Sequence, residues 1–249
     1  MRPDASTKIA KVTPKGGPNP VIIGAVIAVL VILAVVAAIV IGNNSKPVAG
    51  ASGSATPVGV IGGTGGGIFV NKATAKANAP TVDVYEDFQC PGCGDLEKKM
   101  GGQITSMAEA GQIKLVVHML SFLDGNLKND SSTRSANAAS CAADVGKFLP
   151  YHSAVFAGQP AEEGIGYTDA QLTEFAKTAG ISGDALTTWQ KCTSSGQHAK
   201  YVTDVQTAAE KEKVFSTPTV KVNGKASPSL VARTATPDDL IAAVKAATR

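Results

Sequence analysis

Cysteine, histidine and aromatic residues are all scarce in this chain. Four cysteines and three histidines occur among 249 residues, and aromatics make up 5%. A structural zinc site wants four ligands, commonly as two close pairs. Cys90 and Cys93 are one close pair, but Cys141 and Cys192 stand 51 positions apart, and His118, His152 and His198 have no ligand spacing. No metal centre and no cofactor are expected. The few Phe, Tyr and Trp positions read as core rather than as a stacking platform, and the histidines read as packed helix or strand residues. Basic surplus is missing as well. Residues 1–20 hold Arg2, Lys8, Lys11 and Lys15 against Asp4. Taking those four from 23 basic residues and that one from 20 acidic residues leaves 19 of each sign. The body therefore offers no phosphate-binding field, and nucleic acid is not an expected partner. No internal repeat is visible.

Charge is absent altogether from Val21 to Ile41, "VIIGAVIAVLVILAVVAAIVI". At 1.5 Å per residue such a helix spans roughly the 30 Å hydrocarbon core of a bilayer. The basic residues precede the run and only Lys46 follows closely, which places residues 1–20 in the cytoplasm and the remainder outside. The Ala49–Ala51 stretch resembles a cleavage site, so a cleaved secreted form competes. The apolar run is longer than a signal peptide's usual 7–15 residues, however, and an uncleaved single-pass anchor is the favoured reading. Residues 42–67 are rich in Gly, Ser, Ala and Pro and read as a flexible tether of roughly 25–30 Å end to end.

A folded part is expected from residue 68. Thr81–Phe88 reads as a strand. A helical pattern starts at Cys93 and places Leu96, Met100, Ile104 and Met107 on one face, weakened midway by Gly101 and Gly102. Gln112–Leu120 reads as a second strand with Ile113, Leu115, Val117 and Met119 on one face. A long helical stretch follows, with a Thr168-x-x-Gln171 capping box. Thr219–Lys225 returns to strand around an Asn223-Gly224 hairpin turn. Thr236 and Pro237 then cap and open a last helix. The order implies an α/β layered domain with Cys90-Pro-Gly-Cys93 where a strand meets a helix.

Half a zinc site, a small structural disulfide and a redox couple are the three readings of that motif. The redox reading has a physical argument. A helix starting there aims its N–H groups and positive dipole end at the Cys90 sulfur, which stabilises a thiolate. Cys93, one turn on, is placed to resolve a mixed disulfide. With no imidazole between the cysteines, dipole and backbone donors are expected to carry most of that effect. Glu86 and Asp87 flank the motif, and each is a candidate proton shuttle.

"YEDFQCPGC" resembles the active-site strand and motif of DsbA-like thiol–disulfide oxidoreductases of the thioredoxin superfamily. "STPTVKVNG", Ser216–Gly224, resembles their second active-site segment, and "KFLPYHSAVFAGQP" resembles part of their helical insertion. The similarity covers roughly residues 67–248. It implies a thioredoxin fold (residues 68–125 and 214–249) with an inserted helical domain (residues 126–213). By the same resemblance Cys90 is the nucleophile and Cys93 the resolving thiol. Thr217 and a cis Pro218 form the loop facing them, and X-Pro bonds are where cis peptides occur. The implied partners are exported proteins with free cysteines and a membrane-embedded, quinone-linked reoxidase. Pro91-Gly92 departs from the imidazole-bearing motif of the strongest oxidants, so a milder oxidant is expected.

Cys141 and Cys192 fall on helical faces turned to a core. In an oxidising compartment they read as a structural disulfide, the pattern of some actinobacterial relatives; two free thiols or a second redox relay are the alternatives. Three functions compete: an oxidase introducing disulfides into exported proteins, a reductase or isomerase on the same scaffold, and a non-catalytic tethered domain that binds peptides.

Overall fold

The computed structural model describes residues 55–248. The expected anchor, residues 21–41, lies outside the described residues, as does the first half of the expected tether. Among the described residues no helix is long and apolar enough to cross a membrane.

Among the described residues five strands form one sheet: β1 Ile68–Phe69, β2 Thr81–Glu86, β3 Lys114–Met119, β4 Thr219–Val222 and β5 Lys225–Ala226, in the order β1-β3-β2-β4-β5. β2 and β3 are parallel, with Val84 opposite Val117, and β4 runs antiparallel to β2, with Val220 opposite Val84. Parallel neighbours need a crossover, and the segment from residue 91 to 109 supplies it. That crossover is α1 Pro91–Leu96, a π-helical stretch Glu97–Gly101, and α2 Gly102–Glu109. Leu96, Met100, Ile104 and Met107 are all buried, as their spacing predicts. The two glycines that weaken the pattern mark where the π turn gives way to α2.

β3 differs from its expected single buried face. Val116 and His118 are buried along with Leu115, Val117 and Met119. A central strand of a parallel pair is covered on both sides. Here α8, Ala199–Lys211, packs on β3, and His118 stacks on Tyr85 with ring centroids 4.1 Å apart.

The insertion holds α3 Leu123–Leu127, α4 Ser131–Asp144, α5 Phe148–Ala157, α6 Asp169–Thr178, α7 Gly183–Ser194 and α8. Its centre is α4, whose alanines at 136, 138, 139, 142 and 143 are buried and let α5, α7 and α8 approach closely. The periodicity from Ala138 to Leu149 suggests one helix. The chain instead turns at Gly146, with φ of 70°, and Phe148 and Leu149 open α5. α6 carries its Thr168–Gln171 capping box, and α9, Pro237–Ala247, is boxed by Thr236 and Asp239. Asn223 and Gly224 both have positive φ, 48° and 75°, as a type I′ hairpin requires.

The tether expected to run to residue 67 ends sooner. From Ala55 the chain lies on the domain. The Ala55 carbonyl is 2.7 Å from His198 Nδ1, Val58 N–H donates to Asp144 at 2.9 Å, and Val60 bridges Ile68. Backbone hydrogen bonds to fixed side chains of the domain order this segment, a signal that composition does not carry.

Candidate active site

β2 delivers Glu86 and Asp87 to the sheet's end, and Cys90 N–H donates to Asp87 O at 2.9 Å to close the turn into α1. Cys90 stands at the helix N-cap with an extended backbone (φ −77°, ψ 117°), and Pro91 occupies the first turn, where its missing N–H costs nothing. The Cys90 carbonyl accepts from the N–H groups of Cys93 and Gly94, at 3.1 and 3.2 Å. Both cysteines are thiols here. Cys90 keeps 9% of its surface exposed and Cys93 none.

The loop after α8 completes the site. The Thr217–Pro218 peptide is cis, and Cys90 Sγ donates to Thr217 O at 3.4 Å. Gly92 fits against this loop, because a Cβ there would stand 3.2 Å from Pro218 Cδ. Any larger residue at position 92 presses on the proline.

The two thiols are driven apart electrostatically. A hydrogen bond from the Cys93 thiol is the largest influence on Cys90; bonds involving Thr217 and the Cys93 and Gly92 backbone add to it, and together they outweigh burial and hold Cys90 at about 6. Burial pushes Cys93 well above the ordinary thiol value; its bond to Cys90 and the nearby Glu86 and Cys90 charges push the same way. Dipole and backbone donors were expected to dominate at Cys90. The neighbouring side chain contributes more, because a thiol donor one turn on reaches the sulfur directly.

Glu86 and Asp87, both buried, part ways. Asp87 turns to the insertion and accepts from Ser132 Oγ at 2.6 Å, Gln89 N–H at 2.9 Å and Leu123 N–H at 3.3 Å. Burial still raises it to about 7. Glu86 turns to α5, 2.9 Å from His152 Nε2. Burial, then the Cys90 charge, raise it to about 8, and one of its oxygens, Oε1, has no hydrogen-bond partner.

Several residues of the site were not legible in the sequence. Gln159 Nε2 donates to the carbonyls of Phe88 and Cys90, at 2.8 and 2.9 Å, and Tyr167 Oη donates to Phe88 O at 2.8 Å. Both come from the segment after α5, some seventy residues from the motif. His152, expected as a packed helix residue, is packed but also lies 2.9 Å from Glu86 through Nε2, and 3.9 Å from Glu97 through Nδ1. Those three groups place one donor atom each within 4.8 Å of one another. His152 turns a different nitrogen to each carboxylate, which suits a chain of hydrogen bonds better than convergence on an ion. Cys141 and Cys192 form a disulfide between α4 and α7, buried and apart from the Cys90 site.

A strand-to-helix dithiol facing a cis-proline, in a mixed sheet interrupted by helices, defines a thioredoxin-class redox domain. A family model described as Thioredoxin matches residues 73–246. DsbA of Mycobacterium tuberculosis, in its oxidised form, is 30% identical with a TM-score of 0.57, over 70% of this chain and 91% of that one. MdbA, a thiol–disulfide oxidoreductase of Corynebacterium diphtheriae, shares the fold at 23% identity and TM-score 0.60, over 81% of this chain and 98% of that one. The serine/threonine-protein kinase PknE of M. tuberculosis is 30% identical over 137 residues, 52% of this chain; the match spans 23% of the kinase's length. The chain belongs to the DsbA-like thiol–disulfide oxidoreductases of the thioredoxin family.

Proposed function

We propose that this protein is a membrane-tethered oxidase that introduces disulfides into exported proteins outside the cytoplasm through Cys90 and Cys93. The observation that carries the reading is the split between the two thiols, Cys90 held at about 6 and Cys93 pushed well above its ordinary value. A stabilised Cys90 thiolate favours the reduced form, which makes the disulfide form an oxidant and Cys90 a good leaving group.

In the oxidised enzyme a substrate thiolate attacks Cys90 Sγ and breaks the Cys90–Cys93 bond. Cys93 leaves as a thiolate and takes a proton. A second substrate thiolate attacks the substrate sulfur of the mixed disulfide and expels Cys90 as a thiolate. Two electrons pass from substrate to enzyme. Of the two substrate thiol protons, one ends on Cys93 and one in solvent. Glu86 is the group that exchanges the proton with Cys93. Thr217 and Pro218 offer backbone for an extended substrate to lie beside Cys90, and Phe215, 73% exposed two residues before Thr217, extends that surface with an apolar ring. Reoxidation falls to a membrane-embedded, quinone-linked partner, and residues 21–41 hold the domain at that membrane.

The test is equilibration of residues 55–249 with glutathione, followed by oxidation of a dithiol peptide. An oxidising potential and stoichiometric disulfide transfer are expected. A strongly reducing potential with efficient insulin reduction makes the domain a reductase and overturns the reading.

A further inference from the structure

We propose that Glu86, His152 and Glu97 form a proton relay joining the Cys93 thiol to the protein surface, and that Gly101 is the positioning residue that keeps Glu97 turned inward. The inference deepens the dithiol reading above and rests on it.

The three side chains step outward. Their relative exposures are 0% for Glu86, 4% for His152 and 13% for Glu97. Glu97 also lines a surface cavity of about 400 Å³ with Gly94, Lys98, Phe156 and Ala157. The inner end is open to a partner, since Glu86 Oε1 is buried and unbonded. Burial keeps Glu86 protonated and His152 neutral at neutral pH, with Glu86 at about 8. The network therefore assigns the Glu86 hydroxyl as donor to His152 Nε2, which leaves Nδ1–H facing Glu97. Glu97, raised to about 7 chiefly by burial, exchanges protons readily near neutral pH. Its 3.9 Å from Nδ1 is too long for a hydrogen bond, so transfer there takes a small side-chain excursion.

The ionisable groups facing this set are Cys90 and Cys93 at the start of α1, which couple to Glu86, and Lys98 and Glu109, which line the outer cavity with Glu97. The β3 side chains against it, Leu115 and Val117, are apolar, as are Ile104 of α2 and Leu149 of α5. Asp87 spends its carboxylate on Ser132, Gln89 and Leu123 and offers no second path. The π turn sets the outer end. Gly101 lies over the Glu97 carboxylate, and a Cβ there would overlap Oε2, whereas a Cβ at Gly102 meets nothing.

When Cys93 leaves as a thiolate, Glu86 gives it a proton. In this thiolate state His152 is the other tautomer, with Nε2–H toward Glu86: that proton restores Glu86, Nδ1 takes the Glu97 proton to give the Nδ1–H form of the reduced protein, and Glu97 reloads from water. During reoxidation the Cys93 thiol must attack Cys90 Sγ in a mixed disulfide, and its proton leaves by the same groups in reverse. Each step moves one proton and no electrons. A sealed dithiol with no such path would depend on local opening to exchange its proton.

The test compares Glu97→Gln, Gly101→Ala and the control Gly102→Ala in residues 55–249, following resolution of the Cys90–glutathione mixed disulfide between pH 5 and 9. Resolution is expected to slow about tenfold or more in Glu97→Gln and Gly101→Ala. Small carboxylate or imidazole buffers should restore the rate, while iodoacetamide alkylation of Cys90 changes less than twofold and Gly102→Ala matches wild type. Equal slowing of both steps, no rescue by buffer, or wild-type resolution in Glu97→Gln overturns the relay. Should the variants not fold, the wild-type rate in H₂O–D₂O mixtures decides, a single-proton dependence counting against the relay. Failure of wild type to form the mixed disulfide at all refutes instead the oxidoreductase reading on which this one rests.

Discussion

Replacing Cys93 by alanine isolates the strongest influence on Cys90. The Cys93 thiol is its largest stabilising hydrogen bond, and alanine removes the donor while adding no bulk. A hydrogen bond to a charged group contributes about 1.5–3 kcal/mol, and 1.36 kcal/mol corresponds to one pH unit, so the Cys90 midpoint should rise by roughly 1–2. From about 6 it moves to roughly 7–8. At pH 7 the thiolate fraction then drops from about 90% to roughly 10–50%, and iodoacetamide alkylation slows about two- to tenfold. The assay is alkylation rate against pH for the reduced wild type and Cys93→Ala. A midpoint that stays near 6 would show that backbone donors and the helix end carry the effect. The same titration has a stability consequence. A depressed thiol stabilises the folded state fully above the unfolded value of about 8.5, and that stabilisation disappears as pH falls through about 6. Denaturation of the reduced minus the oxidised domain should therefore rise across that window, by about 2 kcal/mol once solvent at the partly exposed sulfur is allowed for. Above about 8.5 the Cys90 contribution is complete and the trend should reverse, since Cys93 ionises in the unfolded chain but stays protonated in the folded one. Glu86 and Asp87 are present in both redox forms and cancel to first order. A reduced form less stable than the oxidised one across this range refutes the reasoning.

Cys90→Ser should abolish disulfide transfer, whereas Cys93→Ser should accumulate mixed disulfides with substrate, seen on non-reducing gels; trapping by the opposite variant would exchange the two roles. Replacing both Cys141 and Cys192 by alanine should cost about 4 kcal/mol in denaturant stability, from a crosslink spanning 51 positions. Because that bond is buried, differential alkylation should find it intact under reductant mild enough to open only a Cys90–Cys93 bond. Gln159→Ala should cost only about 1 kcal/mol, since Phe88 O retains Tyr167 and Cys90 O retains the Cys93 and Gly94 N–H groups.

Local signals in the sequence carried the strand-to-helix junction, the Leu96–Met107 face, both caps, the hairpin and the α/β order, because each depends on neighbours within a few positions. What could not be read depends on contacts between distant segments. Gln159 braces the carbonyl of Cys90, and Glu97 meets His152 across two helices; spacing encodes neither. The Gly/Ser/Ala run was read by composition as tether throughout. Its last residues are fixed instead by Asp144 and His198, which lie on the insertion. Gly101 carried a faint signal. It weakens a helix, and in the structure it gives the Glu97 carboxylate room at the π turn.

Glu86 and Asp87 are adjacent in sequence and both candidates for moving a proton, and strand geometry separates them. Successive side chains along a strand point to opposite faces, so Glu86 meets His152 of α5 and Asp87 meets Ser132 of α4. Burial raises both, to about 8 and about 7, and titration alone would not distinguish them. Their partners do. Asp87 accepts three hydrogen bonds, and Asp124 beside it accepts the Ser132 and Thr133 N–H groups at the start of α4, so Asp87 ties the motif to the insertion. Glu86 keeps an oxygen unbonded and raises the Cys93 thiol by its charge. Glu86→Gln keeps the shape and removes the titration. It should slow mixed-disulfide resolution by Cys93 and flatten that step's dependence on pH, with little loss of stability. Asp87→Asn turns an amide toward N–H and O–H donors and should cost about 1–3 kcal/mol of denaturant stability while leaving the pH dependence of resolution in place. Rapid-quench alkylation at several pH values, paired with denaturation curves, reads both effects. A flattened pH profile in Asp87→Asn, with none in Glu86→Gln, would move the proton path to Asp87 and undo the assignment of Glu86.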